Sequence, residues 1–511
     1  MLYQSISDDL KRIIERGSQS VSKEMLHDLK GAAMMYKPSH DYDSLITGIR
    51  HRYDGAGSQY IKQAIGRRYP SSGDRMPILP FNFIQRVAEV DASVYDWPPT
   101  REVFYQGEPD PERQAELDEL LSRARIDPVM VEAERRVAVA KTVFFRIGWD
   151  PVRDAVQLGL YWPSDVLVIP HWARPSDLST AICVMARIKS PRGDKKSWWE
   201  VWTRPAEDEL DENGMPQLGP ISVEMVSEEG ETMLPFGSED ALYEEGLPMP
   251  WVALHSALPQ ACPFAYADRD LPVIADEINV GWANLLLTAD YQAHDEVVYK
   301  TNREITGLIS AGPGQAHKIG TDEDLQVLTH SADMAAQFNI LDRATKTLAV
   351  TRGQPEDAYS TDGGQVLSGV SRKIKNLPAT KRRMQQSWFS VYFEETALLP
   401  GMAAISDLYG QTNILDEAGE VSFRMTVSDE PEFEDPDAKQ RRVLELKSEN
   451  LISEAEAMVE LGHYGSLSDA VAAGYSPDRL APVAASQGTL AAETLSARLA
   501  ARRQTTTTEE G

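Results

Sequence analysis

Two helix-forming segments separated by a short insert constrain the fold of this chain more than any other feature. In the first, VIADEINVGWANLLLTADYQAHDEVVY, apolar residues recur every three or four positions, which predicts a helix over 272–299. This helix is expected to be about 40 Å long at 1.5 Å per residue. A second helix, predicted over 333–352, has a heptad seam suited to packing against a neighbouring helix, formed by Met334, Phe338, Leu341, Thr345 and Leu348. The insert between them, 300–332, contains candidate strands at EITGLIS and DLQVLT.

The first half of the chain changes from helix to sheet. Residues 150–258 contain short runs rich in β-branched and aromatic residues, such as TAICVMARI and SWWEVWT, which predict strands. Within this block the acidic run 207–212 leads into the turn signal Asn213-Gly214, so we expect it to connect a β-hairpin. Ahead of the block, helices are predicted over 1–70, over FIQRVAEVDASVY up to Trp97-Pro98-Pro99, and from about Pro111 to Phe145.

The second half continues with a loop and another long helix. Residues 353–370 are rich in Gly, Ser and Asp, which predicts a mobile loop. A helical tract is then expected to about Leu399, started or kinked by Pro378. A strand at VSFRMTV and an acidic linker precede a helical C-terminal unit over 438–490, and we expect 491–511 to be disordered.

Composition excludes several classes of protein. At 511 residues the chain is long enough for several domains. Its two cysteines, Cys183 and Cys262, are far apart, which excludes a disulfide framework and a cysteine-rich zinc module. The N-terminus lacks the apolar core of a signal peptide and no stretch reaches a membrane span, so we expect a protein made in a cytoplasm without membrane partners. The net charge of −28 argues against tight, sequence-independent DNA binding.

Motifs for catalysis are missing from the sequence. No GxxxxGK[ST], HExxH, GxSxG or Rossmann glycine pattern occurs, so we predict a protein that is not an enzyme and needs no cofactor or metal. The acidic clusters 207–212 and 429–437 contain the carboxylates that Mg²⁺ or Ca²⁺ prefers, but both lie in connections that favour a solvated charge run. A basic cluster over 372–383 could contact DNA phosphates or carboxylates of an adjacent subunit, or form a solvated helix face.

The order of these elements resembles that of the portal proteins of tailed bacteriophages, over nearly the whole chain. FIQRVAEVDASVYDWPP is similar to the portal segment that leads into the first helix-rich part of the wing. LPMPWVALHSALP and the helix after it resemble the approach to the first stem helix. FRMTVSDEPEFEDPDAKQRRVLELKSENLISEAEAMVELG is similar to the strand, acidic linker and helix that end many portals.

This resemblance implies an α+β portal fold assembled as a ring of twelve subunits. The implied regions are an α/β wing (1–271), a first stem helix (272–299), a small α/β clip (300–332), a second stem helix (333–352), a channel loop (353–370), a long wing helix with a return strand (371–437), a helical crown (438–490) and a tail (491–511). The ring would sit at one capsid vertex of the virion after assembly in the host cytoplasm. Its implied partners are the large subunit of terminase, a head-to-tail adaptor, the major capsid protein, a scaffolding protein and double-stranded DNA passing through the channel.

The resemblance also selects candidate site residues. The channel-loop residues expected nearest the duplex are Gln354, Asp357, Asp362, Gln365 and Ser368. Candidate contacts to DNA or to a neighbouring subunit are Lys300, Arg303, Lys318, Arg372, Lys373, Lys375, Arg382 and Arg383. Two alternatives stay open at this point: a metal-dependent hydrolase that uses one acidic cluster, and another structural protein of the virion.

Overall fold

A computed structural model describes most of the N-terminal four-fifths of the chain. The described residues are 21–68, 78, 81–171, 174–193, 195–204, 220–234, 242–243, 249–257, 262–293, 296–300, 324–328, 334–355, 369–415, 421–427 and 443. The chain divides into two compact units, 1–429 and 430–511, and every element given below belongs to the first. Apart from Val443, the predicted crown and tail lie outside the described residues. The described part combines helices with antiparallel sheets, which confirms the α+β class.

The described residues of the N-terminal part form helices, as predicted, but the helix predicted up to Trp97-Pro98-Pro99 ends earlier, at Asp91. Its helices are α1 (Lys23–Met34), α2 (Tyr42–Tyr53), α3 (Ser58–Arg68) and α4 (Phe83–Asp91). Helix α4 begins where Asn82 Oδ1 accepts a hydrogen bond from the backbone N–H of Gln85 at 3.0 Å, which satisfies a donor that the first turn leaves free. The buried face of α4 is apolar except for its last residue, Asp91.

The helical tract predicted from Pro111 to Phe145 is confirmed up to Ala140, with a break at Arg125, and is wrong over its last four residues. The tract forms two helices, α5 (Pro111–Ala124) and α6 (Ile126–Ala140), separated by Arg125, whose backbone is left-handed with φ of 53°. Lys141 ends α6 in the same conformation, with φ of 67°. Strand β3 (Thr142–Asp150) follows, because the aromatic and β-branched run TVFFRIGW suits a buried strand better than a helix.

Residues 150–258 form antiparallel sheets, as predicted. The strands up to His255 are β1 (Thr100–Tyr105), β2 (Glu108–Pro109), β3, β4 (Ala155–Tyr161), β5 (Val166–Ile169), β6 (Cys183–Ile188), β7 (Trp198–Thr203), β8 (Ile221–Ser227), β9 (Thr232–Met233), β10 (Leu242–Tyr243) and β11 (Trp251–His255). One sheet has the order β10-β8-β7-β6-β5, with β9 beside β8, and another has the order β11-β3-β4. Strands β7 and β8 pair antiparallel around the acidic run 207–212, which itself lies outside the described residues.

Strand β3 separates the two largest apolar cores. Phe144 contributes to a core with α2, α4 and the inner face of the large sheet. Its neighbour Phe145 contributes to a second core with α5 and α6. Successive side chains of a strand point to opposite faces, so β3 supports both cores and fixes the position of the helices around them.

The first predicted stem helix is shorter than expected. Helix α7 (Asp270–Ala293) has 24 residues, about 36 Å at 1.5 Å per residue, and strand β12 (Glu296–Lys300) follows where the sequence analysis extended the helix. The run EVVYK has a high strand propensity. It forms a strand and not the end of the helix because it pairs antiparallel with β13 (Asp324–Leu328). The strand predicted at DLQVLT is confirmed in β13, whereas EITGLIS and residues Arg303 and Lys318 lie outside the described residues.

Helix α8 (Met334–Thr351) returns antiparallel to α7. The ring of Trp282 meets that of Phe338 edge-on with centroids 5.8 Å apart. A Cβ at Gly281 would lie 2.3 Å from Leu341 Cδ2, so glycine permits the close approach of the two helices. The predicted heptad seam of α8 therefore packs, at least through Phe338 and Leu341, against a neighbouring helix of the same chain.

The last described elements form one long, interrupted helix and a strand. Helix α9 (Gly369–Phe393) runs through Pro378, continues into a π-helical turn (Glu394–Leu398) and then into α10 (Leu399–Leu408). Strand β14 (Val421–Thr426) confirms the strand predicted at VSFRMTV. It pairs antiparallel with β1, more than three hundred positions earlier in the sequence, with Thr426 opposite Thr100.

Candidate functional site

The candidate site lies where the segment 353–370 leaves α8. Gly353, Gln354 and Pro355 follow the helix directly, and α9 begins at Gly369. The intervening residues 356–368 are outside the described part of the chain, and with them the predicted channel-loop residues Asp357, Asp362, Gln365 and Ser368. The structure therefore informs on how this segment is held at its ends.

A buried carboxylate collects residues from both sides of the segment. Asp91, at the end of α4, has no solvent-exposed side-chain surface. Its Oδ2 accepts hydrogen bonds from Arg352 Nη2 at 2.6 Å and from Arg382 Nη2 at 2.8 Å, and its Oδ1 accepts one from Gln354 Nε2 at 3.0 Å. Arg382 also donates to the backbone carbonyl of Arg352. The end of α8 and the middle of α9 are thus tied to one side chain.

A second carboxylate adds the start of α7 to this set. Asp268 Oδ2 lies 3.0 Å from Arg352 Nη1. Its Oδ1 accepts hydrogen bonds from the backbone N–H groups of Asp270 at 3.1 Å and Leu271 at 3.3 Å, so Asp268 also caps α7. We call Asp91, Asp268, Arg352, Gln354 and Arg382 the anchor cluster. It joins α4, α7, α8 and α9 at the base of the α7–α8 pair.

The electrostatics of the anchor cluster favour a tight structural contact. A negative charge at the carboxyl end of a helix is disfavoured by the helix dipole, and burial adds a desolvation cost for Asp91. The two guanidinium groups offset both. Nearby Lys141 is largely buried, and this burial, together with the charges of Arg352 and Arg382, lowers the pKa of Lys141 to about 8. Arg352, Arg382 and Lys141 place three basic side chains around Asp91, so its negative charge is needed to balance theirs.

A second buried ion pair holds the long helix at its π-helical turn. The side chain of Glu394 has no exposed surface. Its oxygens accept hydrogen bonds from Arg101 Nε at 2.5 Å and from the Tyr95 hydroxyl at 2.7 Å. Burial and the neighbouring Glu394 raise the pKa of Tyr95 well above its usual value, which keeps its hydroxyl protonated as a donor. The long helix is consequently fixed at Arg382 and again at Glu394.

The anchor cluster contains two of the predicted site residues, Gln354 and Arg382. Gln354 is 7% exposed and bonded to Asp91. Arg382 is engaged with Asp91 within the chain. The assignments of Gln354 to the channel loop and of Arg382 to a contact with DNA or with another subunit stay predictions.

The other predicted contact residues are distributed along the same elements. Lys300 is the last residue of β12. Arg372, Lys373 and Lys375 belong to the first turns of α9, and Arg383 is half-buried further along it.

Sequence analysis missed Asp91 as the centre of the site. A signal was present, because Ile84, Val87, Ala88 and Asp91 follow helical spacing and place one carboxylate on an apolar face. Its partners lie more than 250 positions further along the chain, so the spacing alone did not identify them.

A large cavity outside the anchor cluster offers no catalytic arrangement of side chains. One of about 1030 Å³ lies beside α9 and α10 and is lined mainly by apolar and aromatic side chains, including Trp251 and Phe393. Its single carboxylate, Asp177, accepts hydrogen bonds from the N–H and hydroxyl of Ser179. Burial lowers the pKa of His255, also in the lining, to about 4, so the imidazole is neutral at pH 7. A pair of carboxylates for acid–base work is not among these lining residues.

The described residues contain neither a metal-binding cluster nor a membrane-spanning helix. In this part of the chain, no group of three or more His, Cys, Asp and Glu side chains is arranged to hold a metal ion. Among the described helices, none combines the length and the apolar character needed to cross a membrane. The acidic clusters 207–212 and 429–437 lie outside the described residues, so the structure does not test them.

Comparisons with known proteins give structural likenesses only. No protein-family model matches the sequence, and no curated protein matches it. The chain is similar to a chain of the neck of an empty gene transfer agent (GTA) particle computed with C6 symmetry, at 12% identity, 83% coverage of this chain, 94% of the other, and a TM-score of 0.41. It is also similar to a chain of the virion of a native GTA particle, at 12% identity, 78% coverage of this chain, 93% of the other, and a TM-score of 0.39. A chain of the neck of a native GTA particle computed with C12 symmetry is similar at 13% identity, 84% coverage of this chain, 94% of the other, and a TM-score of 0.40.

Proposed function

We propose that this chain is a structural protein of a phage-like virion, and specifically the portal subunit that forms a ring at one capsid vertex. The observation that supports this most is the anchor cluster at the base of an antiparallel helix pair. Helix α7 leaves the cluster, β12 and β13 pair beyond its end, and α8 returns to the same cluster. This is the order of stem, clip and stem that the sequence resemblance implies.

The helix pair and the loop have separate roles in this proposal. Helices α7 and α8 are the stem, and the region 300–332 is the clip that meets the large terminase subunit during packaging and a head-to-tail adaptor afterwards. The segment 353–370 lines the channel. Because Gln354 and Arg382 share Asp91, the two helices that flank this segment stay in register when DNA moves past.

Charge is compatible with a channel that does not grip DNA. The chain has a net charge of −28, and an acidic wall repels phosphates by the same electrostatics that make basic grooves bind them. Low friction is what a translocating duplex requires. The wing would contact the major capsid protein and scaffolding protein, and the region 438–490 would form the crown.

The proposal is tested by replacing 356–368 with a Gly-Ser linker of the same length in particles assembled with this chain. The replacement leaves every residue of the anchor cluster in place. We expect ring assembly to be unchanged and the amount of nuclease-protected DNA per particle to fall, because the channel lining is lost. Replacement of the exposed turn 151–154 with Gly and Ser, outside the channel in this proposal, is the control. Normal DNA content in the linker variant would contradict the assignment of the channel loop.

A further inference from the structure

Helix α9 exposes a stripe of large apolar side chains on the face opposite its core contacts. Met384 is 62% exposed, Trp388 is 68% exposed and Tyr392 is 69% exposed. They are four residues apart, so they lie in one row that extends about 12 Å along the helix. Single exposed apolar residues are ordinary, but a contiguous row of this kind indicates a binding surface.

The stripe cannot turn into the core of its own chain. On the other face of α9, Arg382 is bound to Asp91, and Ser390 and Phe393 are buried. The π-helical turn that follows is fixed by the ion pair of Glu394 with Arg101. With the helix fixed at both points, the described part of the chain leaves these three side chains exposed, and Tyr392 also borders the cavity beside α9 and α10.

We propose that the stripe docks against a second copy of this chain. Charge complementarity supports this occupant. Exposed Lys381 and half-buried Arg383 stand beside Met384, and the first turns of the same helix contain further basic residues, whereas the chain as a whole has a net charge of −28. A copy of this chain combines apolar surface with a large surplus of carboxylates, which matches a stripe with a basic end.

Duplex DNA is a poorer match for the same surface. Its phosphates would pair with Lys381, but its base faces are stacked inside the helix, so Trp388 and Tyr392 would stay in water. The inference rests on the proposed function, in which adjacent copies must touch. It adds the surface through which they do so.

The test compares the assembly of the full-length chain with that of Met384→Ser/Trp388→Ser. Both side chains are exposed, so circular dichroism and the thermal midpoint of dissociated protein should be unchanged. Central apolar anchors dominate interfaces, so the midpoint concentration for assembly, from light scattering, is expected to rise at least about 30-fold. Tyr266→Ser is the matched control, because Tyr266 is 67% exposed on another part of the chain, and it should assemble as the wild type does.

A photo-crosslinking residue at position 388 gives a second readout in an otherwise native chain, and a crosslink between two copies is expected. If the double variant assembles at the same concentration as the wild type, the inference is overturned and the portal proposal is unaffected. Loss of binding to a double-stranded oligonucleotide with unchanged assembly would also overturn it, in favour of DNA. Assembly that depends on the stripe but gives no ring would support the inference and contradict the portal proposal.

Discussion

Replacing Asp91 with Asn should open the base of the α7–α8 pair. The substitution keeps the side-chain volume and the oxygen that accepts from Gln354, but it removes the negative charge that Arg352 and Arg382 share at 2.6 and 2.8 Å. Because the Asp91 side chain is fully buried, water cannot replace it. Removing one partner of a buried ion pair costs about 3–5 kcal/mol.

The effect is best measured locally by native-state hydrogen exchange, because a chain of 511 residues need not unfold as one unit. Amides of 348–354 and of the last turn of α4 should exchange roughly 10²- to 10⁴-fold faster, since 1.36 kcal/mol corresponds to a factor of ten. The control is Asp268→Asn, which retains the cap of α7 and changes a partly exposed ion pair, with an expected cost below about 1 kcal/mol. Equal exchange rates in wild type and Asp91→Asn would refute the assignment of Asp91 as the centre of the cluster.

Two other predictions follow from buried groups. Glu394→Gln should destabilise the π-helical turn by about 3 kcal/mol, because it leaves buried Arg101 without its main counter-charge. The control is Asp127→Asn, which should cost less than about 1 kcal/mol because the Asp127 side chain is 48% exposed. The protease susceptibility of the two variants near 394–398 measures the difference. His255 has a pKa of about 4 when folded and an ordinary value of 6.5 when unfolded, so the unfolded chain binds the extra proton first as the pH falls. The free energy of unfolding should therefore fall by about 2 to 3 kcal/mol between pH 6.5 and 4, relative to that of His255→Gln. If the melting temperatures of the two proteins change equally with pH across this range, the effect is excluded.

The sequence predicts those parts of the fold that depend on local pattern. The apolar periodicity of α7 and α8 and the β-rich texture of 150–258 correspond to the observed elements. The errors occur where a local pattern competes with tertiary contacts. The Glu-, Arg- and Ala-rich tract up to Phe145 favours helix, but the two cores on either side of β3 impose a strand on its end.

The site was predictable only in part, for the same reason. Arg382 stands in a basic cluster and Gln354 in a Gly-rich loop, and both contexts suggest exposure. Their common partner, Asp91, belongs to a helix more than 250 positions earlier, and single-sequence periodicity gives no information about which distant charge fills a buried site. The unusual carboxylate on the apolar face of α4 indicated a buried charge, but not its partners.

Electron microscopy of the purified full-length chain tests the central proposal most directly. We expect annular particles with an axial hole and twelvefold symmetry in class averages. A homogeneous population of monomers, at concentrations where ring proteins assemble, would contradict it.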